Sequence, residues 1–182
     1  MKEYITPAHV TGAQIKELRK KLGMTQKEFA HFANVSKPTV ERWEVSTGDI
    51  SGPIATLMSV IMTDLTIPKR MEIPKNDLKI RMFYMYDDFI CTVIDADEVN
   101  RIVRINNYTN NLMLRAFGRN TEPSYDDYEE FLESRCFPRT RDKLKLELDR
   151  LGLPYYDPYL IIEKTEGRMA DDNFWIKIYK SA

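Results

Sequence analysis

The chain has 182 residues, 43% of them apolar and 30% charged, a composition that fits a globular protein of one or two domains and excludes a disordered or fibrous chain. Lys and Arg number 27 against 28 for Asp and Glu, so the net charge of −1 gives no overall attraction to nucleic acid or membrane. Such a partner has to be met by a local patch.

No apolar run reaches the ~20 residues that span a bilayer. The stretch from Met1 to Pro7 lacks the basic-then-apolar pattern of a signal peptide, so a cytoplasmic protein without a membrane partner is expected. Cys91 and Cys136 have neither CxxC spacing nor a neighbouring histidine, which points to buried, inert thiols and to no metal site.

Four short helices are marked by their ends. Thr11 followed by Gln14 is a capping-box pattern, Ile15, Leu18 and Leu22 share a face, and Gly23 stands where a left-handed residue ends a helix. Thr25 with Glu28 repeats the box and opens an 8- or 9-residue helix whose Phe29, Ala30 and Ala33 face inward. A tight turn, Asn34-Val35-Ser36, leads to a third helix capped by Ser36, with Pro38 tolerated in its first turn and Val40 and Trp43 on its buried face. Ser51-Gly52-Pro53 starts a fourth, with Ile54, Leu57, Met58, Ile61 and Leu65 on one stripe. Between Thr11 and Glu44 seven basic side chains face four acidic ones, so the positive excess of this half sits in that window.

The segment from Ile67 to Asp77 carries two prolines and no helical or strand periodicity, and reads as a linker. Beyond it Leu78, Ile80, Met82 and Tyr84 alternate, Asp87-Asp88 turns, Phe89 to Asp95 is β-prone, and Asp95 to Asn100 turns again into Arg101 to Asn106, an antiparallel meander. Helices are predicted from Asn111 to Phe117, from Ser124 to about Arg135, from Thr140 to Leu151, and from Asp157-Pro158 to just before Gly167. Phe174 to Tyr179 alternates and returns as a strand. The expected fold class is α+β: an all-α helix-turn-helix domain over 1–66, the linker 67–77, and a small α+β domain over 78–182 with a meander and several helices.

Two short helices joined by a turn form the unit that enters the DNA major groove. The run from Ile15 to Ala30, with Thr25-Gln26 at its centre, and the run from Val35 to Glu44, with Val35-Ser36 and Trp43-Glu44, closely resemble the helix-turn-helix of the Xre family of lambda-repressor-like regulators. They most resemble the branch in MqsA- and HigA-type antitoxins, over about residues 11–66. The resemblance implies that Gln26, joined by Thr25, hydrogen-bonds a phosphate at the start of helix 2. It further implies that Ser36, Lys37, Thr39 and Arg42 project from helix 3, with Lys37 and Arg42 as the base readers. Pro38 departs from the polar residue more usual at a base-facing position and offers apolar contact only. Arg19 and Glu44 match positions that pair in this family and tie helix 1 to the end of helix 3. Lys16, Lys20, Lys21 and Lys27 read equally well as phosphate contacts or as solubilising charges.

The second domain carries little legible chemistry. Asp95, Asp97 and Glu98 lie in an expected turn without an EF-hand pattern, and Glu163-Lys164 lacks the spacing of a nuclease site. Neither a self-cleavage motif nor a Gly-rich phosphate loop is present, and His9 and His31 have no second ligand nearby. No enzyme and no cofactor are expected. Arg135, Arg139, Thr140, Arg141 and Lys143 form a basic cluster, and Arg168 to Trp175 puts a polar loop before an aromatic pair. Arg139, Arg141, Arg168 and Trp175 are therefore candidates for a partner surface, against the plainer reading of solvated loops and a core Trp. The stretch from Phe137 to Trp175 also resembles segments of small uncharacterised bacterial proteins, which supports a bacterial or phage origin and assigns no activity.

Two functions follow from this reading. The first is a sequence-specific transcription regulator, a repressor, that binds a palindromic duplex as a homodimer through its helix-turn-helix, the second domain supplying dimer contacts or sensing a partner or effector. The second is a protein-binding inhibitor, an antitoxin or a mobile-element anti-defence protein, whose helix-turn-helix mainly regulates its own gene.

Overall fold

In the computed structural model, which describes residues 2–180, a two-residue strand β1 (His9–Val10) precedes α1 (Gly12–Lys21), α2 (Gln26–Phe32) and α3 (Lys37–Val45). Strand β2 (Ile50–Ser51) then pairs antiparallel with β1, placing the entry of α4 (Pro53–Thr63) beside that of α1. Local chemistry explains these boundaries. Thr11 and Thr25 each accept from the backbone N–H three residues on, while Gln14 and Glu28 reach back to the cap N–H, so both capping boxes are complete. Helix α1 ends in a Schellman motif around left-handed Gly23, with Met24 N–H donating to Arg19 O and Gly23 N–H to Lys20 O.

The same motif makes the turn between α2 and α3. Val35 N–H donates to Ala30 O and Asn34 N–H to His31 O, with Asn34 at φ 53°. This stops α2 at seven residues, shorter than the periodicity predicts, and leaves Ala33 half-buried as its C-cap. Ile15, Phe29, Val40 and Ile61 are wholly buried and centre one hydrophobic core. Leu65 lies beyond the end of α4 and is exposed, so the expected stripe closes at Ile61.

The chain divides into two compact units, Met1–Glu72 and Ile73–Ala182. The segment expected to be irregular from Ile67 onward starts with one helical turn, α5 (Ile67–Arg70), because Arg70 and Met71 N–H groups find Thr66 and Ile67 carbonyls and Pro68 sits in the permissive first turn.

In the second unit β3 (Ile80–Tyr86), β4 (Phe89–Asp97) and β5 (Ile102–Asn107) form the meander. A 3₁₀ turn (Leu112–Leu114), α6 (Tyr125–Ser134), α7 (Leu144–Leu151) and α8 (Pro158–Thr165) follow, and β6 (Phe174–Lys180) returns antiparallel to β3. The sheet order is β5-β4-β3-β6. Its alternate residues Met82, Ile94 and Ile176 pack with Tyr128 and Phe131 of α6 and Ile161 of α8.

Three local expectations are corrected here. Asn111 to Phe117 is not a helix beyond its single 3₁₀ turn, because Ala116 N–H is drawn to the Thr92 hydroxyl and Arg115 Nε to Thr109 O. Helix α7 begins at Leu144 and not at Thr140. A turn closed by Arg141 N–H to Pro138 O, followed by left-handed Lys143, occupies the expected first turn. Asp95 and Asp97 are buried residues of β4 and not turn residues. Asp95 stays in the strand because Arg81, opposite it on β3, grips both its oxygens at 2.6 Å.

Candidate nucleic-acid interface

Two side chains of the N-terminal unit, Arg19 and Gln26, converge on the carboxylate of Glu44. Arg19 Nε donates to Glu44 Oε1 at 2.6 Å and its Nη2 to Glu44 Oε2 at 3.1 Å. Gln26 Nε2 donates to the same Oε2 at 3.0 Å, and Arg19 Nη1 to the Met24 carbonyl at 2.8 Å. The side chains of Arg19 and Glu44 are only 12% and 4% exposed. One bidentate pair thus locks α1, the turn after it, the start of α2 and the last turn of α3. Met24 was not singled out by sequence, since its carbonyl role has no side-chain signal.

Hydrogen bonding from Arg19, aided less by Gln26 and opposed by burial, holds the Glu44 carboxyl below its ordinary value. The sign of the pH effect follows. The unfolded chain binds this proton first, so the pair's stabilisation is full above the unfolded pKa near 4.5 and is lost as pH falls through the folded value. Acid unfolding of the N-terminal unit is therefore expected to steepen below about pH 4.5, and Glu44→Gln to flatten that slope while lowering stability at neutral pH. Urea midpoints measured from pH 3 to 7 on both proteins check this, and parallel curves would remove Glu44 from the account.

Around this lock the candidate contact residues fall into two groups. Thr25 spends its hydroxyl and its N–H on Glu28, and Ser36 accepts from Thr39 N–H while sharing a 2.8 Å hydrogen bond with the Thr39 hydroxyl. These three hold backbone geometry at the starts of α2 and α3. Gln26 has used one of its two amide protons, leaving one N–H and the carbonyl oxygen.

Lys37, Pro38 and Arg42 stand on the exposed side of α3, opposite buried Val40 and half-buried Trp43. Lys37 Nζ rests 2.7 Å from Glu41 in an exposed i,i+4 pair, whereas Arg42 makes no hydrogen bond or ion pair among the described residues. Val45 continues the stripe from Pro38 and Arg42 and is 78% exposed, an apolar surface residue that the i, i+4, i+7 spacing could have flagged. Lys16, Lys20, Lys21 and Lys27 are all exposed.

The candidate partner-surface residues of the second unit each engage local partners. Arg139 pairs with Glu133 at 2.6 Å and lies over the Tyr156 ring, and Arg141 reaches Glu147 at 3.7 Å. Arg168 pairs with Glu166 and stacks on Trp175, whose indole N–H donates to Asp87 O. Each cation has its own carboxylate, and no described contact joins the first two residues to the last two. Arg135, read with the same cluster, is buried.

Residues 15–61 match the helix-turn-helix family model, less than half of the chain. No curated protein and no solved structure matches it. Residues 15–61 are thus a helix-turn-helix of the Xre, lambda-repressor-like type, a family of DNA-binding regulatory domains. No helix among the described residues is long and apolar enough to cross a membrane.

Proposed function

We propose that this protein is a sequence-specific transcription regulator, a repressor, in which α3 lies in the major groove and two copies of the chain bind a palindromic operator. The observation that carries this reading is the exposed stripe of Lys37, Pro38 and Arg42 on a helix whose far end is clamped by Arg19 and Glu44. Lys37 and Arg42 donate to guanine O6 and N7, and exchanging Glu41 for a base edge costs Lys37 little because the pair is exposed. Pro38 gives apolar contact only, so its base is read less tightly. The remaining N–H of Gln26 serves a phosphate and sets register, which carries no sequence information by itself. Dimerisation follows from the reading length of one helix: two copies reach half-sites about one helical turn, ~34 Å, apart. Residues 78–182 are assigned the dimer contacts and the sensing of an effector or partner.

The test is selection of bound duplexes from a random library at fixed salt, using the wild type and the Lys37→Ala/Arg42→Ala variant in parallel. A palindromic site is expected from the wild type. On that site the variant should lose affinity on the order of 100-fold, since each good base contact supplies about 1–3 kcal/mol of discrimination. No enrichment by either protein would overturn the proposal, and a single unrepeated half-site would overturn the dimer.

A further inference from the structure

The sheet of the second unit ends in two edge strands, β5 and β6. In an antiparallel strand successive residues turn their N–H and C=O to opposite sides, so each residue of β6 serves either β3 or the open edge. Two contacts settle the alternation. Ile176 N–H donates at 2.7 Å to Glu166 O, just beyond α8, and Phe174 O accepts from Arg135 Nη2. Phe174 and Ile176 thus turn outward, while Lys177, opposite Phe83, belongs to the ladder with β3. The register between β3 and β6 runs to Lys180 without a shift, so Ile178 and Lys180 turn outward as well.

The edge is therefore closed at Phe174 and Ile176 by Arg135 and Glu166 and open from Ile178 onward. Among the described residues nothing outside the strand bonds the Ile178 N–H or C=O. An unpaired stretch of this kind is a template for another strand, and proteins ordinarily blunt it. Beside it lies a groove of about 280 Å³ between α8 and β6, whose walls are Ile162, Ile176 and Ile178 with Glu163, Glu166 and Lys177. Free backbone groups next to a groove are the two parts of strand addition, the first giving affinity and the second receiving side chains.

We propose that this edge joins two copies of the chain, β6 of each pairing antiparallel with β6 of the other about a two-fold axis at Tyr179. The proposal deepens the dimer reading above and rests on it. A second copy is chosen because the strand complements its own surroundings. Its charged residues are Lys177 and Lys180, with no acid, and the groove it meets is flanked by Glu163 and Glu166. The covered part of the edge then fixes the register. Glu166 occupies the place opposite Ile176, so an added strand has to leave the edge after the residue that faces Ile178. With the axis at Tyr179 that residue is Lys180, whose N–H and C=O meet the C=O and N–H of Ile178, twice by symmetry. An axis at Ile178 would drive Lys180 into Glu166, and one at Lys177 would drive Ile178 there and set lysine against lysine. On the face opposite Ile176 and Ile178, Tyr179 meets Tyr179, with Lys177 diagonal to it. Tyr179 is 47% exposed and already takes Phe83 edge-on at 5.0 Å and Lys177 Nζ at 5.1 Å, so the contacts across the axis extend ones present within the chain.

Sedimentation and amide exchange of the full chain, measured from low to high micromolar concentration without DNA, test this. A monomer–dimer equilibrium is expected, with the Ile178 N–H gaining protection as dimer forms and the Lys177 N–H protected throughout. Oxidised Tyr179→Cys should yield a covalent dimer, because facing residues of a non-hydrogen-bonded pair lie about 4.5 Å apart between Cα atoms, inside the disulfide range of about 4.4–6.8 Å. Lys177→Cys, on the same face but off the axis, should not. The native Cys91 and Cys136 are buried and do not compete. Ile178→Pro removes an N–H that the ladder with β3 does not use and should weaken dimerisation at least about tenfold. Constant sedimentation as a monomer would overturn the pairing and leave the edge to a strand of another protein. A dimer whose Ile178 N–H stays unprotected, or that cross-links equally through both cysteine variants, would overturn it while the dimer reading stands. The palindrome sought on DNA judges that reading by itself.

Discussion

Gly12→Ala is expected to destabilise the N-terminal unit by about 3 kcal/mol or more, at the upper end of overpacking costs. Gly12 is the first residue of α1, where helix propensity alone favours alanine by roughly 0.5–1 kcal/mol. Geometry reverses the sign. A Cβ at this position would stand 2.2 Å from the Trp43 carbonyl oxygen, 3.1 Å from Ser46 O and 3.2 Å from Trp43 C. All three are backbone atoms at the end of α3, so relief requires α1 and α3 to part, and not a rotamer change. Parting them also strains the Arg19 to Glu44 clamp between the same helices. Urea denaturation followed by Trp43 fluorescence in a Trp175→Phe background isolates this unit, since the chain has two tryptophans. A midpoint unchanged or raised by Gly12→Ala would mean that propensity wins and that the α1–α3 approach is looser than described.

The contrast between Gly12 and its neighbours explains what the sequence could and could not tell. Thr11 with Gln14, Thr25 with Glu28 and Ser124 with Asp127 were legible because a capping box closes within four residues and depends on nothing else. The constraint on Gly12 comes from a carbonyl 31 positions away, and no local pattern encodes it. Asp95 was misplaced for a related reason. A lone acidic residue near other acids reads as a turn, and only the strand register that sets Arg81 opposite makes it a strand residue. In the candidate DNA interface, Lys37 and Arg42 came from the resemblance of the helix-turn-helix, and both stand on the exposed side of α3. Thr25 and Ser36 were legible as caps, while the hydrogen bond joining the Ser36 and Thr39 hydroxyls, which competes with their assigned contacts, depends on rotamers that no sequence pattern gives.

Arg135 gives the second large effect, and it reverses the sequence reading of that residue as part of a surface basic cluster. Its guanidinium is buried and fully engaged. Nε and Nη2 donate to Gly167 O, Nη1 and Nη2 to the two oxygens of Asp172, and Nη2 also to Phe174 O. Every acceptor belongs to the segment from the end of α8 into β6, so this one side chain fixes how the last strand joins the sheet. Arg135→Ala removes the donors and leaves Asp172 without its cation and two carbonyls without partners. Removing one member of a buried pair costs about 3–5 kcal/mol, and since Asp172 is 29% exposed the lower end of that range is expected. Arg135→Lys should recover only part of the loss, because an ammonium cannot span Gly167, Asp172 and Phe174 with one planar fork. Amide exchange separates this account from a general loosening. The Lys177 N–H, which belongs to the β3–β6 ladder opposite Phe83, should exchange markedly faster in Arg135→Ala, while amides of β4, inside the sheet, should speed up only as far as the loss of global stability requires. A cost within the 0–1 kcal/mol typical of surface pairs would show that β6 is held by its ladder to β3 and by Ile176 in the core, with the arginine incidental.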